Sequence, residues 1–94
     1  MFLVCLNNLW RIQYKILPES FDLNNYKDSG NYISTSWDNK VTNLPSGSEK
    51  AFYLIVFSNF RNYSQQILFD MYGKIFYRVV SNKESNFSEW KKIF

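Results

Sequence analysis

The sequence has 94 residues, among them no histidine, one cysteine, three glycines and two prolines. Without histidine there is no Ser-His or Cys-His nucleophilic pair and no histidine-ligated zinc. Cys5, alone within the apolar run Phe2 to Leu6, can form neither an internal disulfide nor a multi-cysteine metal cluster, and reads as a small buried hydrophobe. A strong charge of either sign is also missing. The eleven basic and eight acidic residues give +3, too small and too scattered an excess to mark a nucleic-acid surface. No stretch approaches the roughly 18 to 20 apolar residues that span a bilayer. Met1 to Leu6 lacks the basic flank of a signal peptide, and Asn7-Asn8 interrupts it before any cleavage site. These absences predict a chain that neither inserts in a membrane nor is exported by a signal peptide.

What is abundant is aromatic: Phe, Tyr and Trp make up 20% of the chain. Each ring buries roughly 150 to 250 Å², so one small domain can fold without disulfides while leaving some rings exposed as a binding or oligomer surface. Trp10, Ile12, Tyr14 and Ile16 alternate with Arg11, Gln13 and Lys15, the period of a strand with one dry face. Asn7-Asn8 permits a hairpin with Phe2 to Leu6, and a helix over Leu3, Leu6, Leu9, Trp10 and Tyr14 is the alternative. Pro18 ends whichever element forms. Phe21 to Gly30 is polar and predicts a loop or a short helical turn.

Further along, Tyr32 to Trp37 reads as a strand, and Asp38 to Lys50, with Asn43, Pro45 and Gly47, as the longest turn-rich connection. Ala51 to Phe57 is continuously apolar and predicts a central strand covered on both faces. Gln65 to Tyr72 and Lys74 to Val80 flank Gly73 as a tight hairpin, with Ile75, Tyr77 and Val79 facing away from Phe76 and Arg78. Asn82 to Asn86 predicts a polar turn. A last strand is expected over Phe87 to Phe94, where regular pairing puts Phe87 and Trp90 on different faces. The fold class predicted is mostly β: a small antiparallel meander or sandwich-like domain at 21–94, preceded by an N-terminal extension at 1–20 that forms a β-hairpin or a short helix.

Seven landmarks occur in order: Asp22-Leu23-Asn24, Gly30-Asn31-Tyr32, Asn43-Leu44-Pro45-Ser46-Gly47, Leu54-Ile55-Val56, Gln65-Gln66-Ile67-Leu68, Ile75-Phe76-Tyr77-Arg78-Val79 and Ser88-Glu89-Trp90-Lys91-Lys92-Ile93. Together they resemble the pyocin knob domain of phage tail fibres and phage-like bacteriocins, over residues 22–93. The resemblance implies a compact β module near the receptor-contacting end of a fibre in the virion. It also implies a homotrimer or another homo-oligomer, no catalytic role, and Trp90 as a packed ring closing the domain. Residues 1–20 have no counterpart in that module and carry no heptad or collagen-like repeat.

The scattered carboxylates Asp22, Asp28, Asp38, Asp70, Glu19, Glu49, Glu84 and Glu89 would need a cleft holding two of them about 5 to 9.5 Å apart to cleave glycosides. A domain this small favours a solvated surface instead. The expected function is therefore recognition without catalysis, metal or cofactor. Trp and Tyr rings pack on the C–H faces of sugars, and Asn, Gln, Asp and Arg match their hydroxyl pairs. Trp37, beside Asp38 and Asn39, is the leading candidate for a stacking ring, weighed equally against core packing. Gln65 and Arg78, on adjacent predicted strands, are candidates for a polar patch with Gln66, or else for ordinary sheet solvation. The expected partner is a bacterial surface glycan or receptor. A nucleic-acid strand held by Lys74, Arg78, Lys91 and Lys92 is disfavoured, because the glycine-aromatic signature of RNA-binding sheets is missing. The alternative partner is a host defence protein, such as a nuclease, inhibited in the host cytoplasm.

Overall fold

The computed structural model describes residues 13–59, 63–80 and 87–94. Eight strands form in chain order: β1 (Lys15–Ile16), β2 (Ser20–Asp22), β3 (Gly30–Ser34), β4 (Lys40–Thr42), β5 (Phe52–Ser58), β6 (Ser64–Asp70), β7 (Ile75–Val80) and β8 (Lys91–Lys92). Six of them make one sheet in the order β1-β3-β5-β6-β7-β8, and β2 pairs with β4 in a separate ribbon. From β3 to β8 every pairing is antiparallel, while β1 runs parallel to β3 and β2 parallel to β4. The chain is thus mostly β and chiefly antiparallel, as its apolar runs predict. The parallel pairings are additional.

The ribbon and its loops lie on one face of the sheet. Leu17, Phe21 and Leu23 pack there against Phe52, Leu54, Val56, Leu68 and Phe76, with Tyr26, Val41, Leu44 and Trp90 around them. Successive strand residues point to opposite faces, and registry aligns Tyr32, Leu54, Leu68 and Phe76 across this inner side. Leu23, Leu54 and Leu68 are completely buried. A single 3-10 turn, Leu23–Asn25, links β2 to β3; the Asp22 side chain starts it by accepting from the Asn24 amide at 2.9 Å.

Four expectations need correction. The apolar run of β5 is fully buried on one side only: Tyr53 and Phe57 are 41% and 52% exposed, with Tyr14 edge-on to Tyr53, whereas Phe52 is 3%. The strand expected over Tyr32 to Trp37 stops at Ser34, because the Ser34 hydroxyl turns to the Lys50 carbonyl and the Ser36 hydroxyl accepts from the Asp38 amide, bending the chain into a turn. The long connection Asp38 to Lys50 contains strand β4. The terminal strand shrinks to Lys91–Lys92, leaving Phe87 to Trp90 irregular. The hairpin or helix expected for the first residues and the turn expected at 82–86 lie outside the described residues, apart from β1, whose Ile16 precedes Pro18 as the stop signal predicts.

The β6–β7 hairpin has the glycine its turn requires. Gly73 adopts φ 87°, a left-handed conformation. Asp70 organises the turn: its Oδ1 accepts from the Tyr72 amide at 3.0 Å and the Lys74 amide at 2.9 Å. Its Oδ2 accepts from the Glu49 amide at 3.2 Å, tying the preceding long loop to the same residue.

Candidate functional site

One end of the sheet brings two exposed rings together near a group of polar side chains. Buried Asn39 donates from Nδ2 to the Ser34 hydroxyl at 3.0 Å, and that hydroxyl donates to the Lys50 carbonyl at 2.5 Å. This chain of bonds holds the turn 35–38 against the end of β3. Trp37 projects from the turn, 45% exposed, and meets Tyr72 of the Asp70-organised turn at a ring-centre separation of 5.8 Å and a tilt of 44°. Tyr72 is 70% exposed. Two turns that are distant in sequence therefore place two solvent-facing rings side by side.

The turn that bears Trp37 also walls a depression of about 540 Å³ lined by Glu19, Ser20, Thr35, Ser36, Asp38 and Lys40, with Leu17 and Asn39 also in its wall. The Lys40 amide donates to the Glu19 carbonyl at 2.7 Å, bridging the start of β4 to β2 across it. Its chemistry is hydroxyls, two carboxylates and one ammonium. Neither the Glu19 nor the Asp38 carboxylate has a hydrogen bond or ion pair among the described residues. Such a surface offers acceptors and donors to hydroxyl-rich molecules while the rings offer apolar faces.

The residues singled out from sequence divide between three places. Trp37 and Asp38 are exposed at this end. Asn39 is 6% exposed, bonded to Ser34 and part of the wall of the depression. Gln65 is exposed on the outer side of β6, opposite Val79. Arg78 is 5% exposed on the inner side, so Gln65 and Arg78 form no common patch. Arg78 pairs instead with Gln66: its Nε donates to Gln66 Oε1 at 2.7 Å, and Gln66 Nε2 donates to the carbonyls of Leu23 at 2.7 Å and Tyr26 at 2.9 Å.

The Arg78 guanidinium lies between two rings, 4.1 Å from the centre of Phe87 and 4.4 Å from that of Trp90. Phe87 and Trp90, expected on different faces, are thus brought together by one cation. The Trp90 indole donates to the Asn43 carbonyl at 2.8 Å, and Asn43 Nδ2 donates to Asp22 Oδ1 at 2.7 Å. Burial lowers Arg78 to about 10, with Asp22 opposing the shift, so it remains a cation at neutral pH. Arg78 Nη2 and Asn24 Oδ1 are buried without a hydrogen-bond partner among the described residues. This network fastens loops to the sheet and lies outside the lining of that depression.

Sequence reasoning missed Tyr72, Glu19, Ser20, Ser36 and Lys40. Only Tyr72 carried a signal, as a large ring beside a turn glycine. Among the described residues no three His, Cys, Asp or Glu side chains group as a metal site, and no helix is long and apolar enough to cross a membrane. No protein-family model, curated protein or solved structure matches the chain.

Proposed function

We propose that this chain is a non-enzymatic recognition module that binds a bacterial surface glycan through the Trp37–Tyr72 pair and the polar depression beside it. The observation that carries this reading is the pair itself: two exposed rings, held by buried Ser34, Asn39 and Asp70, next to unpaired carboxylates and hydroxyls. Two exposed rings set side by side on fixed turns match the apolar C–H faces of a sugar. The ordered landmarks that resemble a pyocin knob domain support the same reading and extend it to a homo-oligomer at a tail-fibre end. In a cell-binding assay, Trp37→Ala is expected to lower affinity for host cells at least about tenfold, the loss of one stacked ring, with an unchanged thermal melt. Equal binding by the variant defeats the proposal, as does turnover of aryl glycosides by the wild-type protein.

A second reading has its own observation. The outward positions of β3, β5, β6 and β7 carry no ionised side chain, and Tyr53 and Phe57 are exposed among them. An apolar face of this kind suits a protein partner, such as a host defence nuclease bound in the cytoplasm. In that case Phe57→Ser, and not Trp37→Ala, abolishes recovery of a stoichiometric host protein in a pull-down.

A further inference from the structure

A second depression adjoins the first. About 390 Å³ in volume, it is walled by Ile33, Ala51, Phe52, Tyr53, Phe69 and Met71, with Ser34, Thr35 and Asp70 at its margin. Exposed Thr35 lines both depressions. The buried Asn39–Ser34 hydrogen bond joins their walls, since Asn39 belongs to the first and Ser34 to the second. Registry explains why the second is apolar: Ile33, Tyr53 and Phe69 stand opposite one another on the outer side of β3, β5 and β6. Met71, 53% exposed, continues this wall and immediately precedes Tyr72 of the ring pair. The end of the sheet therefore has two contiguous halves of opposite character, with Trp37 and Tyr72 rising from the turns that border them.

We infer that the ligand is an acylated or otherwise alkyl-substituted sugar without negative charge, its pyranose in the polar depression and its apolar substituent in the groove beyond Thr35. This rests on the glycan reading above and narrows it. A purely hydrophilic glycan leaves the groove lined by Ile33, Tyr53, Phe69 and Met71 unused, and burying methylenes there adds affinity with each carbon. An anionic sugar meets two unpaired carboxylates, Glu19 and Asp38, against one ammonium, Lys40. Neutral and amino sugars meet no such repulsion.

The test is titration of the ¹⁵N-labelled full chain with methyl glucoside, octyl glucoside, octyl glucuronide and the sugarless octyl tetraethylene glycol ether. All are kept below their micelle concentrations, and the Trp37 indole resonance is followed. Octyl glucoside is expected to bind at least about tenfold tighter than methyl glucoside, and tighter than either the glucuronide or the ether. Met71→Asp, at an exposed turn position, is expected to remove the gain from the octyl chain while leaving methyl glucoside affinity unchanged. Equal affinity for methyl and octyl glucoside overturns the inference and spares the glycan reading. Ether binding as tight as octyl glucoside, or preference for the glucuronide, overturns it too. No perturbation of Trp37 by any of the sugars removes both readings.

Discussion

The two faces of the sheet are built from the same strands but differ in a way that composition would not suggest. The inner face is the more polar one: Ser34, Ser64, Gln66, Asp70 and Arg78 all lie buried there among the core residues. The outer face of β5, β6 and β7 carries Tyr53, Ile55, Phe57, Ile67, Phe69, Ile75, Tyr77 and Val79, with Gln65 as its main polar member. The covering layer explains the inversion. Loops and a short ribbon, unlike a helix or a second sheet, arrive with unpaired carbonyls and amides, so the face beneath them must supply partners. Ser64 donates to the Lys27 carbonyl, Gln66 to those of Leu23 and Tyr26, and Asp70 accepts from Glu49. Hydrophobicity alone does not identify the inside of this protein; the need to satisfy a loop layer does.

Neighbouring residues on opposite faces make this comparison breakable. Replacing Gln66 with Ala strips hydrogen bonds from the buried Leu23 carbonyl, the half-buried Tyr26 carbonyl and the Arg78 cation, and is expected to cost about 3 kcal/mol or more in urea unfolding. Gln65→Ala should stay within about 0.5 kcal/mol; similar losses at the two positions would show that the faces are not distinct. Next in size, Leu54→Ala opens a cavity in the completely buried centre and should cost about 2 to 5 kcal/mol. Phe57→Ser, on the same strand but facing out, should cost less than about 1 kcal/mol. A Phe57 cost matching that of Leu54 would mean the outer face is covered within the single chain.

Smaller changes sharpen the picture. Trp90→Phe keeps a ring on Arg78 but removes the indole bond to the Asn43 carbonyl, so a loss of about 1 kcal/mol is expected from denaturant melts. No loss would place the anchoring of the terminal segment in ring packing alone. Gly73→Ala meets no atom within 4 Å of the added carbon but must hold φ 87°, and about 1 kcal/mol of backbone strain is anticipated. A neutral result there would indicate that the hairpin turn relaxes without disturbing Asp70.

Much of the strand pattern was legible because β5, β6 and β7 are long runs of β-formers separated by turn residues, and Gly73 lies in the β6–β7 turn, close to where the sequence placed it. The face assignment was not legible in β5, since Tyr53, Ile55 and Phe57 are as apolar as Phe52, Leu54 and Val56. A clue lay in β6 and β7, where Gln66 and Asp70 share parity with Leu68, and Arg78 with Phe76. Polar residues in step with core residues predict buried anchors rather than solvated ones. The Phe87–Trp90 clasp was not legible, because regular pairing puts residues three apart on opposite faces, and the Arg78 cation that joins the two rings comes from a different strand. Of the candidate site, Trp37 and Asp38 were visible as a ring beside polar loop residues. Tyr72, 35 positions later, depended on a tertiary approach that spacing does not encode.

Asp70 has a consequence for how such a surface diversifies. One buried carboxylate holds the turn bearing Met71 and Tyr72, while Ser34 and Asn39 hold the turn bearing Trp37 and Asp38. The residues that secure the turns are therefore distinct from those that face outward. Randomising Thr35, Trp37, Asp38, Met71 and Tyr72 while keeping Ser34, Asn39 and Asp70 should yield a display library whose members mostly fold, so that specificity can drift or be selected without the scaffold being relearned.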